Sequence, residues 1–336
     1  MKNIFENVES NTLKIIIEVE GLTKYYDDLL AVDHITFDIQ RGEVFGFLGP
    51  NGAGKTTTIK MLTGLAKPTD GTARIAGVDI SKHTKKAQQF IGVVPDESNL
   101  YPELTGFDNL CFCASLYGIT KEERQKRSAE LLQMFNLSEA ANRKFETYSK
   151  GMKRKLTIAA GIIHQPPVLF LDEPTTGIDV ASARQIRQLI AGLHKKGTTI
   201  MLTTHYIEEA ERLCERIAFI VQGKIICVDT TANLLQPVQD DHIMILALSA
   251  TNQKLLKETA AAFADYQLEI LPGGQMRVLS RQPISISPLV NFLEGRGVEV
   301  MEARRVKPSL EDVFVKLTGV EASEMHNDKD KKGSPK

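Results

Sequence analysis

Val44-Phe45-Gly46-Phe47-Leu48-Gly49-Pro50-Asn51-Gly52-Ala53-Gly54-Lys55-Thr56-Thr57 is the stretch on which the fold turns. Five largely apolar residues of strand length run into a glycine-rich turn, and the turn opens a helix near Lys55, as at the start of a βα unit. Residues 49–56 satisfy GxxxxGK[ST] in the strand–loop–helix context that gives the pattern meaning. The glycines allow backbone N–H groups to point at phosphates, and a helix start adds partial positive charge. Lys55 can reach the outer phosphates, and the Thr56 hydroxyl can ligate Mg²⁺. The nucleotide-contacting set expected from this loop is Gly49, Pro50, Asn51, Gly52, Ala53, Gly54, Lys55, Thr56 and Thr57.

A second element lies downstream. Val168-Leu169-Phe170-Leu171 reads as a buried strand that carries Asp172 and Glu173 to the C-terminal edge of a parallel sheet, where such sheets bind ligands. Asp172 is the expected metal holder, directly or through water, and Glu173 the expected acceptor of a proton from the attacking water.

Around these pieces the chain organises itself. Apolar residues alternate in two stretches between Leu13 and Gln40, separated by a polar turn read as residues 24–28, which predicts an antiparallel strand pair. Residues 107–163 show helical spacing (Leu131, Leu132, Phe135) and read as a helical insertion. Strands at 168–171 and 198–203 flank a helix near 181–193 and continue a parallel βαβ rhythm; a hairpin near 218–229 closes the domain.

Beyond Pro237 the order is strand, helix, strand, strand, helix, strand, which is a split βαββαβ unit, followed by one more helix. The expected layout is an extension over 1–12, an ATPase domain over 13–236, a small α+β domain over 240–319 and a polar, disordered tail over 320–336.

Composition restricts the function. Of 336 residues, 42% are hydrophobic and 25% charged, as in ordinary globular proteins. Lys plus Arg (41) nearly cancels Asp plus Glu (42), so no broad basic field favours nucleic acid as a partner. Cys111, Cys113, Cys214 and Cys227 lack zinc-type spacing and read as cysteines of a reducing compartment. The start carries no apolar signal core, and no run approaches the ~18 apolar residues of a membrane span. The chain is expected to stay in the cytoplasm and not to cross a bilayer by itself.

With these pieces in order, residues 15–235 resemble the ATP-binding subunits of ABC transporters. Tyr148-Ser149-Lys150-Gly151-Met152-Lys153-Arg154 is similar to that family's signature, so Ser149 and Gly151 are implied to contact the γ-phosphate held by an opposing subunit. Its departures at Tyr148, Lys150 and Met152 resemble variants in exporters of drugs, antibiotics or polysaccharides. Thr176-Gly177-Ile178-Asp179 resembles the D-loop. His205 matches the switch histidine that senses the γ-phosphate, and Tyr26 the aromatic that stacks on adenine, with Tyr25 its competitor.

Where the family has a glutamine, this chain has Asp96. A carboxylate there can meet Mg²⁺ through oxygen, but it adds negative charge and lacks an amide donor. Residues 99–107 lie where the family receives a membrane partner, and Pro308–Phe314 resembles a C-terminal segment of exporter ATPases.

The resemblance implies a P-loop α/β fold of ABC type, with a parallel core sheet, an antiparallel β subdomain and a helical subdomain. It implies ATP and Mg²⁺ as ligands, a homodimer or paired ATPase subunit, and separate integral membrane permease subunits. A soluble ABC ATPase acting on ribosomes or DNA is the competing expectation. Such proteins normally carry paired nucleotide domains or a long coiled-coil insertion, and this sequence shows neither.

Overall fold

The computed structural model describes residues 14–271 and 273–320. The expected extension over 1–12 and all but the first residue of the expected tail lie outside the described residues. The chain forms two compact units, which divide between Thr231 and Ala232, a few residues before the boundary expected near 236.

In the first unit β1 (Ile15–Tyr26) and β2 (Leu29–Gln40) pair antiparallel. The turn between them is only Asp27 and Asp28, tighter than the expected 24–28, because Tyr25 and Tyr26 extend the strand to pair with Leu30 and Leu29. β3 (Val44–Leu48), buried at every position, leads into α1 (Lys55–Leu62). β4 (Asp70–Ile75) adds an antiparallel third strand on β1, and β5 (Val78–Asp79) a fourth. The sequence had given no sign of either.

α2 (Thr84–Gln88) and β6 (Ile91–Val94) follow. Three helices then make the expected helical insertion: α3 (Gly106–Leu116), α4 (Lys121–Met134) and α5 (Lys150–Ile162). Each starts at a hydroxyl residue (Thr105, Thr120 and Ser149) whose side chain accepts a backbone N–H of the first turn, which satisfies a donor the helix cannot satisfy itself.

β7 (Val168–Asp172), α6 (Val180–Lys195), β8 (Thr199–Thr204), α7 (Ile207–Leu213), β9 (Arg216–Val221) and β10 (Lys224–Thr230) complete the first unit, and the short α8 (Thr231–Leu235) starts at its edge. The central sheet has the order β10-β9-β3-β8-β7-β6, parallel except for the β9–β10 hairpin. One apolar core joins this sheet to the antiparallel one. Phe37 stacks on Phe45 with ring centroids 5.5 Å apart, amid Ile17, Phe47, Phe170 and Ile220. Burying side chains of this size stabilises by roughly 1.5–3 kcal/mol each. That core fixes the C-terminal ends of β3, β7 and β8.

The second unit contains β11 (His242–Leu248), α9 (Gln253–Ala262), β12 (Gln267–Leu271), β13 (Gln275–Ser280), α10 (Ile286–Glu294), β14 (Val300–Val306) and α11 (Leu310–Thr318). Its sheet is antiparallel, in the order β12-β13-β11-β14. Leu246, Met276, Val278, Leu289 and Leu293 form its separate core.

Candidate nucleotide site

The glycine loop is dictated by crowding. At Gly54, φ is +102°, and a Cβ would stand 2.6 Å from the Ala31 carbonyl oxygen, so no other residue fits without moving backbone. α1 then begins with no side-chain cap and no acidic residue in its first turn. Its first N–H groups and its positive end are thus left for an anion.

Lys55 is buried, 6% exposed, and its Nζ donates to the carbonyls of Gly49 (2.6 Å) and Pro50 (3.1 Å). The same Nζ lies 3.3 Å from Glu173 Oε1. Burial lowers the lysine's pKa, and the charge of Glu173 opposes that fall.

Facing it, β7 ends in two carboxylates with different surroundings. Asp172 Oδ1 accepts a short hydrogen bond from the Thr203 hydroxyl on β8. Glu173 Oε2 accepts from the Thr176 hydroxyl at 2.9 Å and lies 2.7 Å from His205 Nδ1. Burial would raise the pKa of Glu173, but the His205 hydrogen bond, the Lys55 charge and Thr176 together hold it below the usual carboxylate value. Glu173 also sits in the left-handed region with φ +49°, unusual for a residue with a long side chain.

These groups open on a cleft of about 300 Å³. Asn51, Gly52, Ala53, Gly54, Lys55, Thr56 and Thr57 line it together with Tyr26, Asp96, Glu173, Thr176 and His205. Gly49 and Pro50, expected among the nucleotide contacts, do not line the cleft; their carbonyls accept from Lys55 Nζ instead. Asp172, 4% exposed, lies beneath the lining. Tyr26 is on the wall and Tyr25 is not; successive residues of a strand face opposite sides, which separates the two candidates. The Tyr26 ring is 42% exposed, with Lys24 Nζ 4.8 Å from its centroid.

Ser149 and Gly151 do not line this cleft. Ser149 caps α5 by accepting the Met152 N–H at 3.3 Å. A Cβ on Gly151 would meet the Ser182 hydroxyl at 2.3 Å, so the signature packs on the start of α6, which Asp179 caps through the Ser182 N–H at 2.8 Å.

Among the described residues no group of three or more His, Cys, Asp or Glu could hold a metal alone. A hydroxyl at Thr56 with carboxylates at Asp172 and Asp96 suits Mg²⁺, which takes few protein oxygens and completes its shell with water and phosphate. Thr203, Glu209 and Arg154 also contribute to the site, and no local sequence pattern marks them for that role. Glu209, 3% exposed on α7, accepts the Thr175 hydroxyl at 2.7 Å and so steadies the segment after Glu173.

Fold and site together define a P-loop nucleotide hydrolase with an antiparallel β layer and a helical insertion. The family described as ABC transporter matches residues 32–176. The chain is 36% identical over 313 residues to the linearmycin resistance ATP-binding protein of Bacillus subtilis (strain 168), spanning 90% of this chain and 98% of that one. It is 37% identical over 306 residues to the daunorubicin/doxorubicin resistance ATP-binding protein of Streptomyces peucetius, spanning 90% and 92%. A solved dimeric ATP-binding cassette in a post-hydrolysis state with ADP and Pi matches with a TM-score of 0.60 and 28% identity, over 64% of this chain and 98% of that one. The chain belongs to the ABC transporter family, as one of its ATP-binding, ATP-hydrolysing proteins.

Proposed function

We propose that this chain is the motor of an exporter. Two copies, or one copy and a paired subunit, would close on ATP and act on separate permease subunits from the cytoplasmic face of the membrane. The observation that carries the reading is the Lys55–Glu173–His205 cluster at the mouth of the phosphate loop. Likeness to two drug-resistance ATP-binding proteins over nine-tenths of the chain supports the export direction. Among the described residues no helix is long and apolar enough to cross a membrane, which agrees with a separate permease.

The Lys55 ammonium is shared among the Gly49 and Pro50 carbonyls and the Glu173 carboxylate. A triphosphate on the loop competes for the Lys55 ammonium, which leaves the Gly49 and Pro50 carbonyls and moves away from Glu173. Glu173, relieved of one cation, becomes a stronger acceptor for the proton of the attacking water. His205 and Thr176 keep its carboxylate oriented meanwhile. Mg²⁺, held by Thr56, Asp172 and Asp96, would neutralise phosphate charge when bound.

Ser149 and Gly151, set apart from their own cleft, would serve the nucleotide of the opposing copy. Residues 240–319 would be a separately folding dimerisation or regulatory module. The test is Mg-ATPase activity of Lys55→Ala: turnover is expected to vanish, and wild-type turnover would overturn the assignment.

A further inference from the structure

Arg154, one turn into α5, is 7% exposed, and its guanidinium lies against two loops at once. Nε donates to the Pro174 carbonyl at 2.9 Å. Nη2 donates to the carbonyls of Asp172, at 2.7 Å, and Glu173. Nη1 donates to the carbonyls of Asp96, at 3.1 Å, and Pro95. A guanidinium has five N–H groups in a rigid fork, and five backbone oxygens receive them.

All five acceptors are neutral, so the buried cation must find its counter-charge elsewhere. Burial depresses its pKa, and the nearby carboxylates of Asp96, Asp172, Glu209 and Glu173 act against that. The relation is mutual. Asp96 brings a carboxylate to a wall that already holds Glu173, and the Arg154 guanidinium is bonded to the backbone of Asp96, Asp172 and Glu173 alike.

We propose that Arg154 is a positioning residue with two separable roles. Its fork fastens the Asp96 loop and the Glu173 loop to the start of the signature helix, and its charge offsets the carboxylate at position 96. The three segments then move as one piece, so the signature that a partner copy receives stays in register with the hydrolytic carboxylate of its own cleft. Lysine could supply the charge but not the five-fold geometry. The proposal rests on Asp96 and Glu173 belonging to the hydrolysis site. A measurement without nucleotide tests the fork independently of that reading.

The experiment uses the full chain as Arg154→Gln, Arg154→Lys, Asp96→Gln and the two doubles, each combining one Arg154 change with Asp96→Gln. Amide hydrogen exchange without nucleotide is expected to rise at residues 93–98 and 172–177 in both single Arg154 variants, because loosening the loops raises local opening. Unchanged exchange at either segment would overturn the fork.

For hydrolysis, Arg154→Gln is expected to lower kcat by up to about 100-fold, the scale of a misplaced catalytic group. Asp96→Gln added to it should restore about fivefold or more, an energy in the range measured for directly coupled residues. Added to Arg154→Lys, which keeps the charge, it should restore nothing. Additive effects in the Gln pair, or equal recovery in the Lys pair, would overturn the charge role. If Arg154→Gln fails to fold, the exchange pattern of Arg154→Lys decides the fork, and recovery of folding by Asp96→Gln decides the charge.

Discussion

The two units of this chain use their interiors differently. At the sheet edge of the first, Lys55, Arg154, Glu173, His205 and Glu209 are all under 10% exposed. In the second, the packed interior is Met244, Leu246, Met276, Val278, Leu289 and their neighbours, and the buried polar groups are Asp241, Thr259 and Ser280. Buried charge costs several kcal/mol per ion unless partners compensate, whereas apolar burial is favourable outright. The first unit gathers ionisable side chains where water is scarce, and the second is packed mainly with apolar ones.

The largest expected effect that would break this contrast is chemical. Glu173→Gln should slow hydrolysis by roughly 10²- to 10⁴-fold, the worth of a positioned general base, while ATP affinity is retained. Light scattering should then find an ATP-bound dimer; undiminished turnover would mean another group takes the proton.

In the second unit the corresponding test is a cavity. Leu289, fully buried in α10, should cost about 2–5 kcal/mol as Leu289→Ala in denaturant unfolding of that unit. Fluorescent-nucleotide binding should stay intact, and loss of binding would show that the two interiors are not independent.

A pH titration sharpens the comparison within the first unit. His164 is buried, its ring stacks on Tyr117 with centroids 3.6 Å apart, and its Nε2 lies 3.0 Å from the Ile91 carbonyl oxygen. Burial takes its pKa down to about 4, with Arg127 adding to the fall and the Ile91 bond opposing it. The folded value is below the unfolded one, so the unfolded chain takes up the proton first. Stability is therefore full above about pH 6.5 and declines as pH falls toward 4, by roughly 3 kcal/mol in all. His164→Gln should flatten that stretch of the stability–pH curve; an equally steep curve would place the proton uptake elsewhere.

The smallest effect concerns a cap. Ser309 and Asp312 close a capping box on α11, with the Ser309 N–H donating to Asp312 Oδ2 at 2.7 Å. Ser309→Ala should cost about 1 kcal/mol, read as a lower thermal midpoint of the second unit.

What could be read from the sequence was what is local along it. The phosphate loop needs glycines, a lysine and a hydroxyl within nine residues, and β7 carries its carboxylates at its own end, so both were legible. The alternation of β11–β14 was readable for the same reason. Arg154 was not, because its acceptors lie 18 to 59 residues away in sequence, and only the fold brings them to one side chain. β4 escaped because Asp70 and Gly71 begin it, two residues disfavoured in strands, and its pairing with β1 spans some fifty residues. Which of Tyr25 and Tyr26 faces the cleft depended on strand parity, visible only once the extended hairpin and its two-residue turn were seen.

The left-handed backbone at Glu173 has a consequence for how this protein can change over generations. A side chain held at positive φ stores on the order of 1–3 kcal/mol that a glycine in the same place would not. At this position, then, conformational relief and activity point in opposite directions. Glycine there would release that strain but take away the carboxylate 3.3 Å from the buried Lys55 ammonium, so a laboratory screen for thermal tolerance meets two opposed changes at one position.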